Sequence, residues 1–189
     1  MDLFLFKYSN FKETMSEEIN NLFLKLCDKD ESDAYLFADK LAKINSEEVM
    51  QRLLDILKDN DIENSYLAAR ALSKMERRQE ALDILLEVIH DKKNQHHNGG
   101  LVEMLENFDL SEKFVDIFRI YLFGNFKASL LAKSFLDTEE FNISPRILRK
   151  AEKHWNHFSH NSNPNEGDFQ VKSIEAQEII NEIKEILAE

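Results

Sequence analysis

The sequence predicts an all-α fold built from repeated pairs of helices. The first observation is compositional. Its 189 residues include only four Gly and two Pro, and 32% of them are charged, which is typical of helical chains with few turns. The second observation is a recurrence of apolar residues, because Leu72 lies 31 positions after Leu41 and 33 positions before Leu105 in three similar helix-like segments.

When Leu41, Leu72 and Leu105 are aligned, the apolar residues of the helices that follow them also fall into register. The aligned sets are Met50, Leu53, Leu54 and Leu57, then Ala81, Ile84, Leu85 and Val88, then Phe114, Ile117, Phe118 and Tyr121. A helix pair that recurs with a period of roughly 30 to 35 residues is typical of an α-α superhelix, or α-solenoid, in which each pair packs on its neighbours. We therefore expect Leu53, Leu72, Leu85, Leu105 and Phe118 to be buried.

The predicted organisation is a single solenoid domain over residues 1–189, made of about four helix pairs and a C-terminal capping helix. The pairs are expected at approximately residues 31–60, 62–91, 96–123 and 125–160, and the terminal helix at 168–188. Ser46 and Ser144 are expected to cap helices, with Pro145 at a first helical position. Gly124 is expected to end its helix in a left-handed conformation.

Several features of the chain predict a cytoplasmic protein. The apolar runs are short and interrupted by charge, so no transmembrane span is expected. Residues 1–7 contain an acid where a secretory signal has basic residues. Cys27 is the single cysteine, which excludes an internal disulfide. Residues 1–12, rich in aromatic side chains, are expected to form a first helical turn over the open end of the array.

The charge of the chain bears on its partners. The formal net charge is −12 and the pI is near 5.0. Nucleic-acid binding relies on Lys and Arg that displace counterions from phosphates, so we expect no nucleic-acid partner, and no membrane partner is expected either. An acidic surface provides solubility, and it would also suit a basic protein partner.

The Ala-rich helix Leu67–Met75 and the three aligned leucines resemble the HEAT-like repeat proteins of bacteria, over about residues 16–160. The resemblance implies a curved stack whose second helices line a concave face that binds a partner.

The residues that could carry chemistry form weak patterns. His154, His157 and His160 surround Trp155, and histidine is a common metal ligand, but no Glu or Cys partner accompanies them at ligand spacing. We interpret them as surface histidines near a helix end. Cys27 ends an apolar helix and is interpreted as a packed thiol. No catalytic residue, metal site or cofactor is predicted.

The outward positions of the second helices can be read from the inward ones. They are Glu48, Arg52 and Asp55, then Gln79, Asp83 and Leu86, then Glu112, Asp116 and Arg119. Acids outnumber bases, and in the fourth pair the equivalent residues are Arg146, Lys150 and Lys153, so the sign reverses there. The predicted partner-binding residues are Glu48, Asp55, Asp83, Glu112, Asp116 and Arg119. The alternative interpretation is a solvated face without a partner.

These observations favour a non-catalytic protein-binding module. Small acidic solenoids resemble immunity proteins, which neutralise a toxin, and an acidic concave face would suit a basic toxin. One alternative is a HEAT-like enzyme or cofactor-handling protein, similar to bilin lyases or to DNA glycosylases. The glycosylases need a basic groove lined with aromatics, whereas the face predicted here is acidic. A general adaptor or scaffold is the third interpretation.

Overall fold

The structure is a computed structural model that describes residues 16–164 and 167–188. This described part of the chain consists of helices and the segments that join them, and it contains no β-strand. The predicted all-α fold is therefore confirmed. The prediction for residues 1–12 falls outside the described residues. Within the described ranges, no helix is both long enough and apolar enough to span a membrane.

The α-helices follow one another with short connections. They are α1 (helical residues 16–26), α2 (Ala34–Ile44), α3 (Glu47–Leu57), α4 (Ile62–Ser73), α5 (Leu82–His90), α6 (Gly99–Glu103), α7 (Phe114–Phe123), α8 (Phe126–Thr138), α9 (Pro145–Asn161) and α10 (Phe169–Ile186). Short 3₁₀ helices lie at Arg78–Ala81, Lys92–Asn94 and Met104–Asn107.

The chain divides into two compact units, at residues 1–88 and 89–189. In the first unit, α4 packs on α2 and on α3, and α2 also contacts α3. In the second unit, α7 packs on α8 and α9, α6 packs on α8, and α10 packs on α9 and α7. Helices adjacent in sequence are thus neighbours in space in both units, which is the packing of a helical repeat.

The core contains the residues that the sequence register predicted. The five side chains that were expected to be buried are at most 1% exposed: Leu53, Leu72, Leu85, Leu105 and Phe118. All the aligned second-helix positions are also buried, except Ile84, which is partly exposed. The burial predictions are confirmed.

Hydrogen bonds between residues about one repeat apart reinforce this packing. In the first unit, Asn45 Nδ2 donates to Glu76 Oε2 at 3.0 Å, and the Glu76 amide donates back to Asn45 Oδ1 at 3.2 Å. In the second unit, Asn142 Nδ2 donates to Glu112 Oε1 at 2.7 Å. The paired residues are 31 and 30 positions apart, which matches the spacing of the aligned leucines.

Side-chain caps begin several helices. Ser46 Oγ accepts from the Val49 amide at 3.2 Å, and Ser144 Oγ accepts from the Ile147 amide at 3.4 Å with Pro145 at the start of α9. These two predicted caps are confirmed. Further caps come from Asp61, which accepts from the amides of Glu63 and Asn64, and from Asn125, which accepts from the Ala128 amide.

The prediction for Gly124 is wrong. Its backbone is extended, with φ −71° and ψ 161°, rather than left-handed. The chain needs an extended residue here because α8 begins almost at once, with Asn125 as its cap. Glycine is required for close approach instead, since a Cβ at Gly124 would lie 2.5 Å from the Ile120 carbonyl oxygen and 2.9 Å from Ala128 Cβ. Among the described residues other than glycine, Asn45 is the left-handed one.

Candidate binding surface and pocket

Three of the predicted binding residues lie in the first unit. Glu48 and Asp55 are exposed on α3, and Asp83 is exposed on α5. The one base among their α3 neighbours is Arg52, whose guanidinium carbon lies 3.9 Å from the centre of the Phe23 ring. Arg52 Nη1 also donates to Asn20 Oδ1 at 2.8 Å and lies 3.8 Å from Glu48 Oε1. These contacts hold the Arg52 charge beside α1.

The prediction that Leu86 faces outward is wrong, because its side chain is only 4% exposed. The reason lies in how α5 is covered. Leu82, Leu85 and Ile89 are buried together with Leu86, so the apolar surface of α5 is wider than the single stripe assumed from the repeat register.

The other three predicted residues lie in the second unit, in two different environments. Glu112 is exposed just before α7 and accepts the hydrogen bond from Asn142. Asp116 and Arg119 lie one turn apart on α7, with Arg119 Nη1 at 3.8 Å from Asp116 Oδ1. Their side chains are about one-third exposed, at 35% for Arg119 and 32% for Asp116.

Asp116 also faces His90, a residue that the sequence had not singled out. His90 Nε2 lies 3.2 Å from Asp116 Oδ1. This buried nitrogen has no well-aligned acceptor among the described residues. Burial alone raises the pKa of the Asp116 carboxyl, but the contact with His90 and the charges of Arg119 and Lys113 bring that pKa below its usual value.

A pocket of about 340 Å³ opens beside this cluster, entirely within the second unit. Its wall is formed by the end of α5 (Ile89 and His90), the following loop (Asp91, Lys92, Gln95 and Asn98), the end of α7 (Arg119, Ile120, Phe123 and Gly124) and α9 (His154 and His157). No periodicity in the sequence indicates this pocket, because the loop that closes one side has no helical pattern.

Amide side chains hold that loop in place. Asn98 is 4% exposed, and its Nδ2 donates to the Ile89 carbonyl oxygen at 3.0 Å. Asn98 Oδ1 accepts from Asn125 Nδ2 at 2.9 Å. Gln95 Nε2 donates to the carbonyl oxygen of Phe123 at 3.1 Å. The loop is thus bonded to both α5 and the α7–α8 junction, which gives the pocket a defined shape.

The histidines of α9 separate into two groups. His154 and His157 line the pocket, whereas His160 does not, and its Nδ1 lies 2.7 Å from the Asn156 carbonyl oxygen one turn earlier. Burial lowers the pKa of His154, and the nearby charge of Arg119 lowers it further. Across the ranges that the structure covers, no three His, Cys, Asp or Glu side chains are grouped to hold a metal ion.

Two further sequence candidates are placed by the structure. Cys27 is partly buried at the end of the first unit's α1, and burial raises the pKa of its thiol, which disfavours the reactive thiolate. Arg146, Lys150 and Lys153 are all exposed on α9.

Comparison with known families agrees with this architecture. The family model for HEAT repeats matches residues 19–105. Over these residues the chain is similar to HEAT repeat proteins, and its packed helices support a HEAT-like helical repeat. HEAT repeats generally mediate protein–protein interactions and typically act as non-catalytic scaffolds. No curated protein and no solved structure gives a match to this HEAT-like protein.

Proposed function

We propose that this HEAT-like protein is a non-catalytic module that binds a basic protein partner in the cytoplasm. The observation that carries the proposal is the set of exposed acids on successive second helices of the first unit, Glu48, Asp55 and Asp83. These residues lie in a chain whose net charge is −12. We call them the acidic docking set.

The docking set is centred on the first unit because its three acids are exposed there. Arg52, the neighbouring base, is held beside α1 by Phe23 and Asn20. In the second unit, by contrast, Asp116 already faces both His90 and Arg119. Asp116 and Arg119 therefore already have neighbours of their own, and they are left out of the docking set, as is Glu112, which accepts from Asn142.

Charge complementarity of this kind acts mainly on specificity and on the rate of association. Exposed acids attract a basic partner over about a Debye length, which is ~8 Å at physiological salt. A basic toxin is a partner of suitable charge. We infer an immunity-type role, in which the acidic docking set covers the basic surface through which the toxin acts.

Capture from the native cell tests the proposal. The unmodified protein is compared with a double variant that carries Asp55→Lys and Asp83→Lys. The control carries Glu178→Lys and Glu182→Lys, which makes the same change in net charge on the exposed face of α10. We expect a basic protein to be retained by the unmodified protein and the control, and to be lost from the docking-set variant. Equal retention by both variants would contradict the docking set.

Growth then tests the immunity role. The captured protein is expressed alone and together with this HEAT-like protein. Growth arrest that co-expression relieves supports immunity. A partner that is harmless on its own would reject the immunity role and leave an adaptor or scaffold function for the same surface.

A further inference from the structure

The pocket of the second unit has basic walls, although the chain as a whole is acidic. Four of its lining side chains are imidazole or guanidinium groups: His90, Arg119, His154 and His157. The acid among the lining residues is Asp91, whose carboxylate lies 3.5 Å from Lys93 Nζ and accepts from the Lys93 amide at 3.0 Å. Asp91 therefore pairs with Lys93, which is not one of these four groups.

The carboxylate of Asp116 lies beside two of these basic groups, His90 and Arg119. Asp116 Oδ1 lies 3.2 Å from His90 Nε2 and 3.8 Å from Arg119 Nη1. His154 lines the same pocket, where burial and the nearby charge of Arg119 lower the pKa of its imidazole. The guanidinium of Arg119 and the imidazoles of His90 and His154 thus converge beside one carboxylate, and their N–H groups are donors for a bound carboxylate.

The remaining wall combines the apolar residues Ile89, Ile120 and Phe123 with the polar loop residues Lys92, Gln95 and Asn98. Ile89 and Ile120 are each 2% exposed, and Phe123 lies beside them with its ring 5.8 Å from the His157 ring. The volume of about 340 Å³ is at the small end of the range for ligand sites, which commonly combine apolar walls with a few convergent polar groups. An inorganic anion would use only the basic part of this lining.

We propose that this pocket binds a small organic acid, whose carboxylate pairs with Arg119 and His154 and whose apolar body packs against Ile120 and Phe123. A guanidinium suits this task, because its planar fork can donate two hydrogen bonds to one carboxylate. The inference does not depend on the proposed protein partner, since the pocket lies in the second unit and the docking set lies in the first.

Titration of the ¹⁵N-labelled full chain with sodium benzoate, followed by NMR, tests the inference. Benzamide serves as the neutral analogue, and inorganic phosphate serves as an anion without an apolar body. We expect saturable benzoate-induced shifts at the amides of Gln95, Arg119 and Phe123, and much weaker effects of the other two probes. Benzamide that binds as well as benzoate would overturn the charge argument, and phosphate that binds as well would overturn the organic-acid class.

Variants locate the site. Arg119→Gln and, independently, His154→Gln are each expected to weaken benzoate binding at least about tenfold, which corresponds to ~1.4 kcal/mol. The matched control is Arg146→Gln, at an exposed arginine of α9 that does not line the pocket. Melting temperatures verify that each variant is folded, and the His154 variant decides the outcome if Arg119→Gln does not fold. Unchanged affinity in a folded pocket variant, or benzoate shifts that do not saturate, would overturn the proposal.

Discussion

Arg70 on α4 donates two parallel hydrogen bonds to Asp39 on α2, from Nε to Oδ1 at 2.9 Å and from Nη2 to Oδ2 at 3.0 Å. Lys74 Nζ adds a third hydrogen bond to Oδ1 at 2.7 Å. Arg70 and Asp39 are 31 positions apart, the same spacing as Leu41 and Leu72. The contact therefore links the first helices of successive pairs, and it supplements the apolar packing that holds them together.

Replacing Asp39 with Asn should destabilise the protein by about 1–2 kcal/mol at neutral pH, because charge-assisted hydrogen bonds are stronger than neutral ones. Burial alone raises the pKa of the Asp39 carboxyl, but Arg70 and Lys74 lower it overall. A depressed pKa contributes stability above the unfolded-state pKa of about 3.9, and this contribution is lost as pH falls through the folded-state pKa.

Urea unfolding at pH 7 and near pH 3 measures this effect. The difference in stability between the unmodified protein and Asp39→Asn should shrink at the lower pH. Asp30→Asn, at an exposed loop position, serves as the control and should show little difference at either pH. If the stability difference between the unmodified protein and Asp39→Asn were the same at pH 7 and pH 3, the carboxylate charge of Asp39 would not contribute to stability.

Truncating Leu85 to Ala should cost about 2–5 kcal/mol, since the side chain is 1% exposed and its removal leaves a cavity in the first unit. Leu24→Ala is the matched control, because Leu24 is 73% exposed. Chemical denaturation of both variants provides the measurement. Similar losses for the two leucines would refute the assigned register of the core.

A methyl group at Gly124 should destabilise the second unit by about 1–3 kcal/mol, as expected for overpacking. The added Cβ would lie 2.5 Å from the Ile120 carbonyl oxygen, which is backbone and cannot swing aside as a side chain can. Gly167→Ala is the control, since a Cβ there meets nothing within 4 Å. Thermal melts that show no difference between the two variants would contradict the close approach at the α7–α8 junction.

Removal of residues 171–189 should expose apolar surface in the second unit and promote aggregation. The deleted part of α10 contains the buried side chains of Ala176, Ile180 and Ile183. Light scattering during heating measures the outcome. Ile186→Ser, at a side chain that is 65% exposed, should leave the protein unchanged. A truncated chain that remains monomeric and equally stable would show that α10 protects nothing.

Much of the fold could be predicted because apolar spacing and burial are directly related. Leu53, Leu72 and Leu105 are buried because the same inward position recurs once per helix pair. Leu86 was misassigned because periodicity along one helix does not show how many neighbours cover it. Gly124 was misassigned because its role depends on a contact with Ala128 in the next helix.

The site was less predictable for a similar reason. The exposed positions of Glu48, Asp55 and Asp83 follow from helix geometry alone. The cluster of His90, Asp116 and Arg119 depends on how an aperiodic loop, held by Asn98, joins the last two residues of α5 to the rest of the second unit. Spacing in the sequence contains no signal for such a tertiary contact. A charged pair on α7 near a histidine that ends α5 was the available hint.

The most direct test of the central claim is the association rate constant with the partner identified by capture. It should be measured at low and at high salt. At low salt, the variant with Asp55→Lys and Asp83→Lys should associate at least about tenfold more slowly than the control with Glu178→Lys and Glu182→Lys, and the difference should shrink at high salt as screening increases. Equal association rates for the two variants at low salt would contradict an acidic docking surface on α3 and α5.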